Sequence, residues 1–416
     1  MAHCRAGLLL VSSAPEHNWS GAVRFIPAAL HVPDQEDAAA AVVAQAAAAG
    51  RKVRVVGSRH SFVPFWNDDD VILDLRKLRG IVAVDAAAAR VEIRAGTVIA
   101  DLGAPLWDAG FALANMGDID RQALAGAIST GTHGTGGNLG SLPTRVSGVA
   151  LIDGTGRVHE IGVRPGTAAD DTRDPRLDGI AVAMGSLGVL TRITLDVLPR
   201  YGLHERQWQM AVDDCLATLA DHCRATRHFE FFYTPRDGVC HCKSLAVVAP
   251  PPQAVPVPEL PFGVAAERVG ASFRIFPSVR ERKFNEMEYS VPAVNGPACF
   301  QALQRLLRSD FPGVAWPLEY RTVAADRLWL SPNHARASVT ISLHEAAERD
   351  PGAFFRAAEQ VFLDFGGRPH WGKQHFLDAA RLAARYPRWD DFQALRQTLD
   401  APRTFANAYM ARLLGP

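Results

Sequence analysis

Two patterns in this 416-residue sequence can carry chemistry. The first is a set of three glycine-rich polar turns: Gly57-Ser58-Arg59-His60-Ser61, Gly131-Thr132-His133-Gly134-Thr135-Gly136-Gly137 and Gly185-Ser186-Leu187-Gly188-Val189. Glycine lets backbone N–H groups approach a phosphate closely, clustered N–H groups form anion-binding nests, and Ser and Thr hydroxyls add donors. One such turn alone reads as readily as an ordinary turn. Three of them, each beside a β-rich run, suit one large anionic cofactor. The second pattern is Glu319-Tyr320-Arg321, with Lys373 further on between His370 and His375. Residues two apart on a strand share a face, so Glu319 and Arg321 can pair, and the guanidinium keeps the carboxylate ionised. Such a pair is either a same-face surface ion pair or part of a site.

Composition narrows the field. The 44 basic and 44 acidic side chains balance, which leaves no overall positive field for nucleic acid or an acidic membrane. The apolar share of 48% with 21% charged residues argues for packed domains, more than one at this length. No G-x-G-x-x-G opens a helix, and neither G-x-x-x-x-G-K-[ST] nor H-E-x-x-H occurs, so Rossmann, P-loop and zincin readings lose their main support. Six cysteines are too sparse for a disulfide scaffold, and Cys240-His241-Cys242 has no second ligand pair nearby, so no metal site is expected. No apolar run reaches the roughly 20 residues that span a bilayer. The apolar core Gly7 to Val11 is short for a signal peptide, so residues 1–17 read as a disordered leader and the chain as cytoplasmic.

The elements that must position these residues fall into blocks. Strands are expected at Lys52 to Val56, Val71 to Leu75, Arg90 to Arg94, Val146 to Ile152 and Leu190 to Leu195, with an Ala-rich helix from Glu36 to Ala49. Further on, a strand is expected at Phe229 to Tyr233, helices at Ala298 to Arg308, Gly352 to Phe362 and Asp391 to Leu399, and a surface connection over the proline-rich Pro250 to Pro261.

With the elements placed, the motifs match a family. Val55-Val56-Gly57-Ser58-Arg59-His60-Ser61-Phe62 resembles the pyrophosphate loop of vanillyl-alcohol-oxidase-type flavoproteins. Their sugar-oxidising branch reads G-S-G-H-S-F there and carries FAD covalently on the His. Asn115 to Asp120, followed by Ala125 to Gly136, resembles that family's second FAD segment. Glu319-Tyr320-Arg321 and the run His370-Trp371-Gly372-Lys373 resemble the E-x-R and H-W-G-K signatures of the sugar-1,4-lactone oxidases and alditol oxidases. The likeness runs from about Trp19 to Leu414. One residue departs from it: Arg59 stands where the family has a second Gly.

The resemblance implies an α+β fold: a PCMH-type FAD-binding domain of two subdomains over residues 18–200, an α+β substrate cap over 201–367, and a C-terminal segment, 368–416, that returns to the FAD domain. It implies FAD attached to His60, held by Val56, Gly57, Ser58, Arg59, Ser61, Gly117, Asp118, Gly126, Ser129, Thr130, Gly131, Thr132, His133, Gly185, Gly188, Val189 and His375. It makes Glu319, Arg321 and Lys373 catalytic. Asp118 and His344 join those three in binding substrate, with Glu288 a weaker candidate. Arg321 and Lys373 would polarise substrate oxygens, and Glu319 would orient the reacting hydroxyl or take its proton. The implied reaction is oxidation of a CH–OH group of a sugar lactone or related polyol, with oxygen reduced to hydrogen peroxide and Gly117 leaving oxygen a path. The alternatives are an alditol or other hydroxylated donor such as a nucleoside, a dehydrogenase with another acceptor, and a flavin-binding module without turnover.

Overall fold

The computed structural model describes residues 15–68, 70–166, 173–279 and 281–416. The expected leader lies outside them up to residue 14. Its last residues are ordered, Glu16–His17 pairing antiparallel with Arg24–Phe25.

The two larger sheets of the N-terminal half position the site. In the first, β1 (Ala29–His31), β2 (Val53–Val56) and β3 (Val71–Asp74) are parallel in the order β1-β3-β2. A parallel pair needs a crossover, and α1 (Glu36–Ala48) supplies it between β1 and β2, burying Ala39, Val43 and Ala46 along one stripe. The strand expected from Lys52 begins at Val53. Leu75, expected to end the next strand, opens a short 3₁₀ turn capped by the Asp74 side chain. The second sheet is antiparallel, with β4 (Ile81–Asp85), β5 (Arg90–Arg94), β6 (Val146–Ile152), β7 (Val158–Gly162) and β8 (Val189–Asp196) in the order β7-β6-β8-β5-β4. Between β5 and β6 lies α2 (Leu124–Thr130), which ends at Gly131 in the left-handed conformation.

The second half is built on one eight-stranded antiparallel sheet. Its strands are β9 (Gly202–Ala211), β10 (His228–Thr234), β11 (Val239–Val248), β12 (Ala266–Ala271), β13 (Phe284–Pro292), β14 (Leu318–Val323), β15 (Ser338–Ala346) and β16 (Arg368–Pro369), in the order β12-β9-β11-β10-β14-β15-β13-β16. Its central strands are buried on both faces, and period-2 alternation divides them chemically. Phe231, Tyr233, Met287, Tyr289, Val291, Tyr320 and Ile341 pack under α3 (Val212–Ala225), α4 (Gly296–Ser309) and α5 (Gly352–Asp364). The opposite face presents Glu230, Phe232, Glu286, Glu288, Glu319 and Arg321, all buried. Pro250 to Pro261 runs without regular structure between β11 and β12, as its prolines require.

After β16 the chain leaves the cap. Trp371, Leu377, Phe392 on α6 (Trp389–Leu399) and Met410 and Leu413 on α7 (Ala408–Leu414) share one core with Val53, Ile72 and Ile193 of the N-terminal sheets. Lys373 therefore sits on a segment clamped between the two halves. Among the described residues, no helix is long and apolar enough to cross a membrane.

Candidate active site

Two cavities meet between the halves. The first encloses about 950 Å³ out to its open mouth. The Val56 to Ser61 turn, Gly126, Ser129 and Thr130 of α2, and Gly185 and Gly188 line it. These are three stretches far apart in sequence. Gly57 is held to glycine by packing, since a Cβ would lie 2.6 Å from Ala123 Cβ; at Gly126 a Cβ would meet only open space. Arg54, Arg59 and Lys373 line this cleft, and none of its described lining residues is a carboxylate. That donor-rich, cationic lining fits a large anionic cofactor. By sequence Arg54 is only a residue of the strand before Gly57. Buried beneath the cleft, it donates to the carbonyls of Phe65 (3.0 Å), Met184 (2.8 Å), Gly185 (3.2 Å) and Phe405 (3.0 Å), tying the third glycine turn to the C-terminal segment.

Arg59 explains its own departure from the family loop. Its φ is +57°, the left-handed region that favours glycine. Its side chain holds that conformation by pairing with Glu16 at 2.7 Å and Asp74 at 3.4 Å. The turn survives the substitution, and His60 follows it, stacked on Trp19 with ring centroids 5.7 Å apart. Burial, then the charges of Lys373 and Arg121, pushes the His60 pKa down to about 4. The imidazole is neutral at ordinary pH, with a lone pair free for bonding.

The second cavity, about 1270 Å³ out to its mouth, lies over the polar face of the cap sheet. Register brings its groups together: Glu230 stands opposite Arg321, and Glu319 and Glu288 each stand opposite Ser342 from either side. Arg321 bridges Glu319 at 3.0 Å and Glu288 at 3.2 Å. His133 Nε2 lies 2.6 Å from Glu288, and its Nδ1 lies 2.8 Å from the Gly134 carbonyl oxygen. Lys373 pairs with Glu286 and lies over the Phe62 ring, 5.1 Å from its centroid. Asp118 accepts from Lys243 at 2.8 Å, and Lys243 also reaches Glu230 at 3.0 Å. Burial alone would raise the Glu288 pKa, but the charge and hydrogen bond of His133 and the charge of Arg321 outweigh it, holding the carboxyl well below its usual range. Glu286 is likewise held down against burial by Lys373 and His344. Glu230 has less compensation, and burial pushes its pKa up to about 7.

Gln122, His370 and Lys373 line both cavities and mark their junction. Gly117, Asp118, Thr132, His133, Glu319, Arg321 and His344 line the second one. Three expected cofactor contacts are not brought to either lining. Gly131 closes α2, and Val189 is buried at the start of β8. His375 is buried against Trp371, and neither ring nitrogen has a hydrogen-bond partner among the described residues. The two-residue step from Lys373 to His375 turns its ring into the core. Glu286, Gln122, Lys243 and Glu230 were missed. The alternation Phe284-x-Glu286-x-Glu288 was the available signal for Glu286, since it places all three on one face. Lys243 and Glu230 had none, because strand pairing alone puts Glu230 opposite Arg321 and Lys243 opposite Glu230.

Burial makes the protein acid-sensitive. His228, His370 and His375 each have the pKa pushed to about 3, and His60 to about 4, chiefly by burial. Their folded pKa values lie below the unfolded value near 6.5, so the unfolded chain takes up protons first as pH falls. The stability these groups contribute is complete above about pH 6.5 and is lost from there downward. Because neither ring nitrogen of His375 has a hydrogen bond to lose among the described residues, His375→Phe should flatten that decline by on the order of 3 kcal/mol at pH 4, read from denaturant midpoints at pH 7 and pH 4. An unchanged acid limb would show that His375 is protonated in the folded state.

Comparison with known proteins agrees with this architecture. Residues 27–162 match the family described as FAD binding domain, and residues 259–413 match that described as D-arabinono-1,4-lactone oxidase. L-Gulono-1,4-lactone dehydrogenase of Mycobacterium tuberculosis is 33% identical over 96% of this chain and 99% of its own. An alditol oxidase of a Streptomyces species is 28% identical over 95% of this chain and 98% of its own. L-Gulonolactone oxidase of Bos taurus is 25% identical over 95% and 97%. The crystal structure of cholesterol oxidase from B. sterolicum superposes with a TM-score of 0.84 over 98% of this chain and 97% of that one; at 16% identity it shows the fold. The chain thus belongs to the FAD-linked oxidoreductases of the vanillyl-alcohol-oxidase type, in the branch that holds the sugar-1,4-lactone and alditol oxidases.

Proposed function

We propose that this protein oxidises a CH–OH group of a sugar-1,4-lactone or related polyol, with FAD attached at His60 and oxygen as acceptor, giving a carbonyl product and hydrogen peroxide. The observation that carries this reading is the junction of a carboxylate-free cationic cleft with a charged cavity at Gln122, His370 and Lys373. FAD supplies the two-electron acceptor. The side chains do the rest. An ammonium has three donors and Lys373 commits one to Glu286, leaving others for a substrate oxygen. Arg321 fixes positive charge beside Glu319, which accepts the hydrogen bond of the reacting hydroxyl and can take its proton. Burial of this cluster strengthens each contact by excluding water.

A second acceptor reading has an observation behind it. A Cβ at Gly117 would lie 2.9 Å from the His133 carbonyl oxygen, so packing alone accounts for this glycine and it need not mark an oxygen path. Peroxide formation on L-gulono-1,4-lactone, D-arabinono-1,4-lactone and xylitol tests both readings. Turnover that needs a dye and yields no peroxide makes the protein a dehydrogenase; no turnover on any lactone or polyol sinks the substrate class. For the attachment, acid precipitation should leave yellow colour in the wild-type pellet and release it to the supernatant in His60→Ala. Colour released from the wild type removes the covalent bond from the proposal.

A further inference from the structure

The second cavity is lined by more than its charged cluster, since Phe232, Phe262 and Ile119 also border it. Across the polar face of the cap sheet, Phe232 on β10, Glu319 on β14, Ser342 on β15 and Glu288 on β13 stand in register on four neighbouring strands. Three strand spacings make this floor roughly 14 Å wide, more than twice the breadth of one sugar ring. Lys373 lies at the β13 end, against Glu286 and Phe62. Phe232 lies at the other end. Against it, edge to face with centroids 5.6 Å apart, stands Phe262. Both rings line the cavity together with Ile119.

Phe262 leaves 52% of its surface exposed at the cavity wall. It directly follows the Pro250 to Pro261 strap. Prolines cut the freedom of the unbound strap, so holding this ring at the mouth costs little entropy. The floor residues of one cavity lie on four neighbouring strands, so a single sugar ring bound at Lys373 leaves the Phe232–Phe262 end unfilled.

We propose that Phe232, Phe262 and Ile119 form an outer subsite for a planar apolar ring, and that the preferred donor is a sugar or polyol carrying such a ring, an aryl- or heteroaryl-glycoside-like molecule. This rests on the reading of the second cavity as the place of CH–OH oxidation. The ring stacks at the Phe232–Phe262 end while the hydroxylated part reaches Glu319, Arg321 and Lys373. Offset or edge-to-face packing on two aromatic rings is worth about tenfold in affinity.

The test is calorimetric titration of the flavin-loaded protein with phenyl β-D-glucopyranoside and with methyl β-D-glucopyranoside. The phenyl compound should bind about tenfold more tightly. Phe262→Ala should shrink the difference to less than about twofold, and Phe262→Trp should keep it. The phenyl compound should also compete with the lactone for turnover. Equal affinities in the wild type, a preference that survives Phe262→Ala, or non-competitive inhibition each overturn the subsite. The underlying reading fails separately. Ring preference with no turnover of any lactone, polyol or glycoside leaves the subsite standing and removes the oxidation; turnover without ring preference does the reverse.

Discussion

Replacing Lys373 by methionine should lower kcat/KM for the lactone by about a thousandfold, the scale on which removal of one fixed donor to a developing oxyanion is felt. Lys373 lines both cavities, and its segment is held by β16 on one side and by Trp371 in the N-terminal core on the other. The ammonium is therefore placed by the fold and reaches substrate without a search. Methionine keeps the length and packing over Phe62 and removes only the charge and donors. It also leaves the Glu286 carboxylate with His344, 3.7 Å away, as its remaining ion-pair partner among the described residues. Stripping a buried carboxylate of its cation costs about 3–5 kcal/mol. The double variant Lys373→Met/Glu286→Gln separates the two effects: melting temperature should return while turnover should not. Wild-type turnover in either variant would remove Lys373 from the active site.

Arg321→Met should hit both stability and rate. Arg321 is buried, bridges Glu319 and Glu288, and stands in register with Glu230. Burial alone would ease its proton off, but Glu319, Glu288, Glu230 and Asp118 hold the guanidinium charged well above its ordinary range. Without it several carboxylates share one buried space, and the group with the least compensation takes up a proton. The expected loss is about 3–5 kcal/mol in the denaturant midpoint at pH 7, with kcat/KM down at least about a hundredfold. Arg321→Lys should recover much of the stability and little of the rate, because one ammonium cannot serve two carboxylates and a substrate oxygen in a planar fork. If Arg321→Lys turns over like the wild type, point charge suffices and the proposed orientation of Glu319 by Arg321 is wrong.

Much of the architecture is local in origin and was readable. The β-branched runs before Gly57 and across Val146 to Ile152, the Ala-rich stretch of α1 and the cap helices α4 and α5 form where periodicity places them, because burying one face or one stripe is a short-range pattern. The Glu319–Arg321 pair followed from the same period-2 rule. Arg59 shows where that reading needs structure: the residue type argues against a positive φ, and only Glu16 and Asp74, placed by other segments, show how it is held there.

What the amino-acid sequence determined by itself was the most strongly patterned elements, the glycine turns and the chemical types available to the site. These depend on neighbours a few residues apart. The tertiary structure alone decided that Glu286 partners Lys373, that Lys243 and Glu230 stand behind Arg321, and that His375 turns into the core. Strand order in an antiparallel sheet and the return of the C-terminal segment across the molecule are settled by the summed burial of two cores. That balance brings together residues dozens to hundreds of positions apart, and no local spacing records it.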